Sequence, residues 1–338
     1  MSDARPIVVW YPEPPDSAPG AADALQWLLA NLPANVQLHC GKEGQRPDGY
    51  QVLIAGRLEA EWLAAPSLET VIIPWAGIAE SARELLVSQF ASLAVHNLHH
   101  NAAATAETAV ALMLAAARRL LPADRRLREG DWTPRFDTRG SVQLSGGTAV
   151  VLGYGAIGRR VARVCTALDM TVHATRRQAT DVTTGPDGVR EYPPDALHDL
   201  LPIANALIIS LPLTPATKGL IGERELTLMR RDAVLVNVGR AHIVDESALF
   251  HALRDGVIGA AGLDVWYRYP EAGDDAARVN TPPSAHPFGD LDNVVMSPHR
   301  AGWSLTTDHD RMRELRRLLD AMATGRPVPH RLDLDVGY

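Results

Sequence analysis

Cysteine is scarce in this sequence, and the usual patterns of metal and membrane proteins are missing from it. Only two cysteines, Cys40 and Cys165, occur among the 338 residues, and there is no CxxC, HExxH or EF-hand pattern. No apolar run reaches the ~20 residues that a membrane helix needs. The start, MSDARPIVVW, lacks the charged and then apolar layout of a secretion signal. These absences predict a cytoplasmic protein with two buried, unpaired thiols, no membrane segment and no metal site.

Positive charge is also in deficit. The 33 Lys and Arg residues against 40 Asp and Glu residues give a net charge of -7. Nucleic acid is therefore not expected as a partner, because contacts to phosphate need a basic surface. A hydrophobic content of 46% and a charged content of 22% describe an ordinary globular protein. The length is sufficient for two domains of common size.

Short apolar runs recur between helix-like stretches along the chain. They are rich in β-branched residues and do not alternate with polar residues, so both faces of each strand are expected to be buried. The predicted strands form two series, 7–10, 36–40, 52–56, 71–75 and 93–97, then 148–153, 171–175, 206–211, 233–239, 260–266 and 293–299. Their alternation with helices is typical of parallel sheets built from βαβ units, which predicts an α/β fold.

The segment between the two series, 102–130, is rich in Ala, Leu and Arg. Its first part, 102–120, predicts a long buried helix that joins the two predicted domains. A last helix, over 305–323, is followed by no strand, so we expect it to pack on the first series. The predicted architecture is two Rossmann-like or flavodoxin-like parallel-sheet domains with a cleft between them. The substrate domain would be 1–98 with 303–338, and the dinucleotide-binding domain 99–302.

A glycine-rich turn follows the strand at 148–153 and leads into a helix-like stretch. Gly153 permits a tight turn, Gly155 lets the backbone approach a pyrophosphate, and Gly158 lets helix and strand pack closely. The N–H groups at the start of the helix would face the phosphates. The residues predicted to bind a dinucleotide are therefore Gly153, Tyr154, Gly155, Ala156, Ile157 and Gly158.

The end of the next strand favours one form of the dinucleotide. NAD enzymes commonly place an acidic residue about 20 positions after the turn, where it binds the ribose hydroxyls. This sequence has Thr175, Arg176 and Arg177 there instead. Two guanidinium groups would attract a 2′-phosphate. NADP is favoured, and NAD remains the alternative if both arginines are simply solvated at the strand end.

The order of these and later motifs resembles that of the D-isomer-specific 2-hydroxyacid dehydrogenases. PWAG near Trp75, NAAATAE at 101–107, the glycine-rich turn, SLPLTPATKGLI at 210–221, VNVGRA, LDVW and SPHRAG follow one another over nearly the whole chain. The resemblance implies an oxidoreductase that uses NAD(P) and acts on a small 2-oxo or 2-hydroxy acid, such as glyoxylate or hydroxypyruvate. It also implies a homodimer joined through the cofactor domain.

The resemblance assigns roles to residues at the strand ends. Arg240 would bind the substrate carboxylate and polarise its carbonyl, and His299 would be the general acid and base. Substrate contacts are expected from Trp75, Ala76, Gly77 and Trp303, and further cofactor contacts from Leu211, Pro212, Thr217, Val238, Gly239, Asp264 and Gly302. The histidines within 96–100 are interpreted as hinge and pocket wall rather than as metal ligands.

One position departs from the family pattern. Members usually carry a glutamate just after the LDVF-like strand, where it pairs with the histidine, but Tyr269 occupies that position here. Glu271 lies past Pro270, and its spacing does not match. We expect the Tyr269 hydroxyl to orient His299, and the histidine pKa to be lower than beside a carboxylate. The alternative is a packing role for this ring next to Trp266.

Two other functions stay open because of the missing glutamate. The first is a catalytically impaired NAD(P)-binding protein that acts as a regulator or corepressor, as some members of the family do. The second is hydride transfer of the formate dehydrogenase kind, since those enzymes also lack the glutamate. Retention of Arg240 and His299 favours the 2-hydroxyacid oxidoreductase, because a binding protein needs neither residue.

Overall fold

The computed structural model describes residues 6–15, 20–41, 46–137, 140–271 and 273–337. Its helices and strands, in chain order, are β1 (Ile7–Tyr11), α1 (Ala21–Ala30), β2 (Val36–Cys40), β3 (Val52–Ile54), α2 (Ala60–Leu63), β4 (Thr70–Ile73), α3 (Glu80–Gln89), β5 (Ala94–Asn97), α4 (Ala102–Ala117), α5 (Leu120–Arg128), β6 (Thr148–Leu152), α6 (Gly158–Ala167), β7 (Thr171–Thr175), β8 (Thr183–Thr184), β9 (Arg190–Tyr192), α7 (Leu197–Leu200), β10 (Ala206–Ile209), α8 (Glu223–Leu228), β11 (Val234–Asn237), α9 (Glu246–Arg254), β12 (Ala260–Leu263), α10 (Ala277–Asn280), β13 (Val294–Met296) and α11 (Thr307–Ala323). Each predicted run overlaps one of these strands, whereas β8 and β9 were not predicted.

The chain divides into two compact units, which we call the first unit (Met1–Asn101 with Trp303–Tyr338) and the second unit (Ala102–Gly302). The sheet of the first unit is parallel, in the order β2-β1-β3-β4-β5, which is the order of flavodoxin-like folds. Leu28 of α1 and Leu315 of α11 share one buried cluster with Val9 of β1. The last helix therefore packs on the first sheet, as its sequence position predicts.

The sheet of the second unit has the order β13-β12-β11-β10-β6-β7-β9-β8, and β8 is the strand that runs antiparallel to its neighbour. Helix α4 lies against β12, where a Cβ on Gly262 would come within 2.7 Å of the Leu112 Cβ. Glycine at this strand position is what allows the helix to approach so closely. The prediction of an α/β fold with two parallel sheets is confirmed.

The Ala-rich helix predicted over 102–120 is present as α4, which ends at Ala117, and after a break a second helix, α5, follows that was not predicted. The break lies at Arg119, whose φ of 53° is left-handed. Pro122 explains it, since proline has no N–H to donate and its ring would clash with the carbonyl four residues earlier, at Arg118. The loop predicted over 131–147 contains a short 3₁₀ turn, and its residues 138–139 lie outside the described ranges.

Both cysteines are free thiols, but only Cys165 is buried, and Cys40 is half-buried rather than buried. Burial raises the pKa of each thiol to about 11, so both stay protonated near neutral pH. Within the described ranges, no helix combines the length and the apolar character that a membrane crossing requires.

Candidate active site

Three predicted catalytic residues follow adjacent strands of the second unit. Arg240 follows β11, Tyr269 follows β12 and His299 follows β13. Because these strands are parallel neighbours, their carboxyl ends lie at the same edge of the sheet, where open α/β sheets bind ligands. The rings of Tyr269 and His299 are 5.4 Å apart between centroids and inclined by 54°. The charge of Arg240 acts on both of these residues, so the three side chains form one electrostatic group.

The backbone around Arg240 is held by a side chain of the preceding strand. The Asn237 amide donates to the Arg240 carbonyl at 3.0 Å and accepts from the Gly239 N–H at 3.0 Å. The guanidinium itself donates to the Gly239 carbonyl at 2.8 Å. Desolvation lowers the Arg240 pKa, but an arginine stays charged at any pH of interest. The site therefore keeps a fixed cation with further N–H donors for an anionic ligand.

Asp264 anchors the loop that carries His299. Its carboxylate is 1% exposed, and it accepts hydrogen bonds from the Ser297 hydroxyl at 2.5 Å and from the backbone N–H groups of Arg300 and Ala301, both at 3.0 Å. These bonds surround His299, which has a left-handed φ of 54°. A residue with a Cβ adopts this conformation only where its surroundings impose it. Asp264 thus positions the histidine, while its predicted contact with the cofactor stays a prediction.

The electrostatic surroundings of His299 disfavour its charged form. Desolvation by the surrounding protein lowers the pKa of the imidazole, and Arg240 lowers it further, while Asp264 acts in the opposite direction. Tyr269 meets the imidazole ring to ring, and its hydroxyl accepts a hydrogen bond from the Trp266 N–H at 3.1 Å. No hydrogen bond joins the Tyr269 hydroxyl to His299 in the described part of the chain. Its role in orienting the histidine therefore remains a prediction.

The glycine-rich turn has the shape that a dinucleotide pyrophosphate requires. Gly153 has a φ of 96°, and a Cβ on Gly158 would lie 2.1 Å from the Gly153 carbonyl oxygen. A Cβ on Gly155 would meet open space, so the backbone there can be approached from outside. Among the described residues, none accepts a hydrogen bond from the N–H groups of Ala156 or Ile157. The turn and the start of α6 therefore fit NAD(P).

The neighbouring strand ends add charged groups on one side of this turn. Tyr154 donates its backbone N–H to Thr175 at 3.1 Å and its hydroxyl to the carboxylate of Asp187. That bond lowers the Asp187 pKa. Arg176, predicted to bind the 2′-phosphate, donates to Glu191 at 3.2 Å. The sequence reading missed Asp187 and Glu191, because the short strands β8 and β9 give no pattern of their own.

The predicted nicotinamide loops meet at the ends of β10 and β11. A Cβ on Gly239 would lie 2.5 Å from the Leu211 carbonyl oxygen, and the Val238 N–H donates to Ile209 at 3.1 Å. The Thr217 hydroxyl donates to the Pro212 carbonyl at 2.7 Å and closes the loop on itself. The structure thus brings the segments around Leu211 and Gly239 together. Their contact with a cofactor remains a prediction. Gly302 ends the second unit, just after the His299 loop.

In the first unit, the turn after β4 carries the predicted substrate residues Trp75, Ala76 and Gly77. Hydrogen bonds from the Leu98 N–H to the Trp75 carbonyl, at 3.1 Å, and from the Asn97 amide to the Ala76 carbonyl, at 2.8 Å, hold this turn. The N–H groups of Ala76 and Gly77 find no acceptor among the described residues. They are therefore available to an anion, as in a backbone nest.

The Trp75 ring lies on the guanidinium of Arg311, with the carbon Cζ 4.4 Å from the ring centroid. Arg311 is 3% exposed and pairs with Asp308 at 2.9 Å, but its Nε has no partner in the described chain. This buried cation beneath a half-exposed indole was not predicted, because α11 and β4 are far apart in sequence. Trp303 is exposed, and its role at a substrate remains a prediction.

The histidines within 96–100 make structural contacts inside the first unit. His96 bonds the Pro329 carbonyl at 2.8 Å, and the His99 ring packs edge-on against His330, with centroids 4.5 Å apart. His330 in turn pairs with Glu314 at 3.0 Å. In the part of the chain that is described, no group of three His, Cys, Asp or Glu side chains is arranged to hold a metal ion.

Comparison with known families matches the second unit closely. The model described as D-isomer specific 2-hydroxyacid dehydrogenase, NAD binding domain, matches residues 110–301. A glyoxylate reductase from Aeropyrum pernix is 39% identical over 242 residues, which is 69% of this chain and 67% of that protein. A D-3-phosphoglycerate dehydrogenase from Archaeoglobus fulgidus is 32% identical over 279 residues, which is 76% of this chain. The chain spans only 50% of the length of this second relative.

A solved structure resembles the whole fold. The D-isomer specific 2-hydroxyacid dehydrogenase from Xanthobacter autotrophicus Py2, in complex with NADPH and MES, superposes with a TM-score of 0.77. The match covers 99% of this chain and 100% of that one, at 24% sequence identity. At this identity the likeness establishes the fold alone.

Proposed function

Because this chain belongs to the D-isomer-specific 2-hydroxyacid dehydrogenase family, we propose that it reduces a small 2-oxo acid to the 2-hydroxy acid with NAD(P)H, or catalyses the reverse oxidation. The observation that supports this most is the grouping of Arg240, Tyr269 and His299 at one sheet edge. Glyoxylate and hydroxypyruvate are the first substrates to assay. The similarity to a glyoxylate reductase supports that choice.

Arg240 binds the substrate in this proposal. Its guanidinium donates to the carboxylate and to the carbonyl oxygen of the 2-oxo acid, which orients the acid and stabilises negative charge that develops on that oxygen. In the first unit, the N–H groups of Ala76 and Gly77 are proposed as further donors to the carboxylate. We accordingly propose residues 1–98 with 303–338 as the substrate domain and 99–302 as the cofactor domain.

His299 supplies the proton. Addition of hydride to C2 of a 2-oxo acid leaves an alkoxide, which takes a proton from the imidazolium and becomes the hydroxyl of the product. In the reverse direction the neutral imidazole accepts that proton. Tyr269 orients the imidazole through ring contact, without the charge that the family's glutamate would add. The bound nicotinamide supplies or accepts the hydride.

The proposed cofactor is NADP, with NAD as the alternative. The N–H groups at the start of α6 would hold the pyrophosphate, and Arg176 with Arg177 would hold the 2′-phosphate. Both arginines are exposed at the end of β7, where such a phosphate is expected. The structural relative that binds NADPH and the family model for NAD binding are consistent with either form.

A panel of 2-oxo acids with NADPH and NADH, followed by nicotinamide absorbance, tests the activity. We expect turnover of at least one acid, and Arg240→Gln should lower kcat/KM by about 1000-fold, because it removes a charged bidentate donor. Arg231→Gln is the matched control, since Arg231 is exposed just before β11, at the opposite edge of the sheet. Inactivity towards every acid, with cofactor binding intact, would favour the regulatory, corepressor-like function instead.

We also propose that the protein is a cytoplasmic homodimer joined through the second unit. Apolar side chains on and after α5 are exposed, with Trp132 at 60% and Phe136 at 79%, and such patches mark contact surfaces. Light scattering should show a dimer for the unchanged chain and a monomer for Phe136→Glu. Val279→Glu is the control, because Val279 is 81% exposed on α10 and outside this patch. The two free thiols suit a reducing compartment.

A further inference from the structure

Glu191 brings a carboxylate to the place where the cofactor's 2′-phosphate is expected. Strands β7 and β9 pair in parallel, with Ala174 opposite Glu191, so Glu191 lies next to the end of β7, where Arg176 follows. Arg176 donates to the Glu191 carboxylate at 3.2 Å. The Glu191 side chain is 13% exposed and that of Arg176 is 44% exposed. The carboxylate is thus the more buried partner, beneath a guanidinium that faces solvent.

We propose that Glu191 sets the selectivity between NADP and NAD by opposing the 2′-phosphate at Arg176. The inference rests on the proposed function, in that it takes NAD(P) binding at the glycine-rich turn as given. A 2′-phosphate carries about two negative charges at neutral pH. It would meet a guanidinium whose charge is already balanced by Glu191. The 2′-hydroxyl of NAD carries no charge, so the same carboxylate does not repel it.

The position of the carboxylate makes this opposition effective. Charges near a protein surface interact through an effective dielectric constant of about 20, well below that of water. Glu191 is mostly covered, so it is screened less by salt than an exposed acid would be. Its backbone is held by the pairing of β9 with β7, and its side chain is only 13% exposed, so little room is left for it to move away. We therefore expect the native chain to accept both cofactors, with a weaker preference for NADP than two arginines alone would give.

Asp187, the other nearby acid, does not oppose the 2′-phosphate at Arg176. Asp187 lies in the turn between β8 and β9, and its carboxylate accepts the hydroxyl of Tyr154. Arg159 lies over the Tyr154 ring, at 4.6 Å from its centroid, and helps to balance that charge. Among the described residues, Glu191 is the acid that pairs directly with Arg176. Selectivity is accordingly assigned to Glu191 and not to Asp187.

Calorimetric titration of the full-length protein with 2′,5′-ADP and with 5′-ADP tests the inference. Glu191→Gln keeps the size of the side chain and an oxygen that can accept from Arg176, but it removes the negative charge. We expect the affinity for 2′,5′-ADP to rise about tenfold, from removal of one close like charge, and that for 5′-ADP to stay within about twofold. The gain should shrink as salt is added.

Asp232→Asn is the matched control, because Asp232 also pairs with an arginine, Arg230, at 2.9 Å, but lies before β11 at the opposite edge of the sheet. It should change neither affinity. Unchanged or weaker binding of 2′,5′-ADP by Glu191→Gln would overturn the inference and leave the proposed function standing. An equal change in affinity for both nucleotides would also overturn it, because it would mean that Glu191 has a structural role. If the unchanged chain binds neither nucleotide, the proposed cofactor fails and the inference fails with it.

Discussion

In each unit, a buried charged side chain supports a loop that carries predicted substrate contacts, but the two charges are satisfied in different ways. In the second unit, Asp264 accepts three hydrogen bonds from the His299 loop. In the first unit, Arg311 makes an ion pair with Asp308 and stacks on Trp75, while its Nε lacks a partner in the described chain. Hydrogen bonds are directional and fix the backbone, whereas stacking fixes only the plane of one ring. The His299 loop should therefore be less tolerant than the Trp75 loop of a substitution that disturbs its support.

The largest effect is expected from Asp264→Asn, which removes the directional support. Whichever way the amide is turned, its NH2 group must face one of the N–H donors that the carboxylate now accepts, either Arg300 or Ala301. A buried donor left without an acceptor costs about 2 kcal/mol of folding stability. Displacement of His299 should lower kcat/KM by about 100-fold, as misplaced catalytic groups do. Chemical denaturation and steady-state kinetics measure the two losses.

Asp292→Asn is the control for this substitution. Asp292 lies just before β13, at the other end of the strand that leads to His299, and its pair with Arg125 is long, at 3.8 Å, and exposed. Such pairs contribute less than about 1 kcal/mol, so stability and rate should barely change. Equal losses in both variants would mean that the carboxylate of Asp264 has no special role in the loop.

A smaller effect is expected from Gly56→Ala in the first unit. The new Cβ would lie 2.2 Å from Nε1 of Trp75, so the indole must move off Arg311. The cost should be about 1 kcal/mol, at the low end for overpacking, because the ring is half-exposed and can shift. We expect KM for the 2-oxo acid to rise about fivefold with little change in kcat.

Gly289→Ala is the control, since its Cβ would meet nothing closer than the Met296 sulfur, at 4.0 Å. Loss of stability without any change in KM for Gly56→Ala would show that Trp75 serves packing alone. A loss in kcat as large as that of Asp264→Asn would instead erase the contrast between the two loops.

The difference between the loops also marks what the sequence could predict. Parallel strands can be predicted from the local sequence, because they are runs of apolar residues that become buried. Parallel pairing then brings their carboxyl ends to one edge of the sheet. That is why Arg240 and His299 could be placed together in advance. The break between α4 and α5 has a signal too, because Pro122 forbids a helix that continues from α4 without interruption.

The supporting charges could not be predicted in the same way. Arg311 reaches Trp75 through the packing of a helix from the far end of the chain, and Glu191 reaches Arg176 through the pairing of a strand of three residues. Neither contact follows from spacing or periodicity, since each depends on tertiary packing. Asp264 lay within a recognised motif, but its use as an anchor for the next loop becomes visible only with the hydrogen bonds in hand.

The smallest effect is expected from Tyr269→Glu, which places beside His299 the carboxylate that the family usually has at this position. It adds a second carboxylate, besides Asp264, that acts on the histidine. In Tyr269→Glu, a carboxylate beside the imidazole favours the imidazolium, so the pKa of His299, which desolvation and Arg240 now lower, should rise. Ketone reduction needs the protonated form and fails as pH rises through that pKa. The upper midpoint of the profile of kcat/KM against pH should therefore move up by about one unit, and the lower limit of alcohol oxidation, which needs the neutral form, should move up with it.

Tyr269→Phe removes the hydroxyl and keeps the ring, so it should leave both midpoints unchanged if only charge matters. Superimposable profiles for the unchanged chain and Tyr269→Glu would mean that position 269 does not act on the histidine.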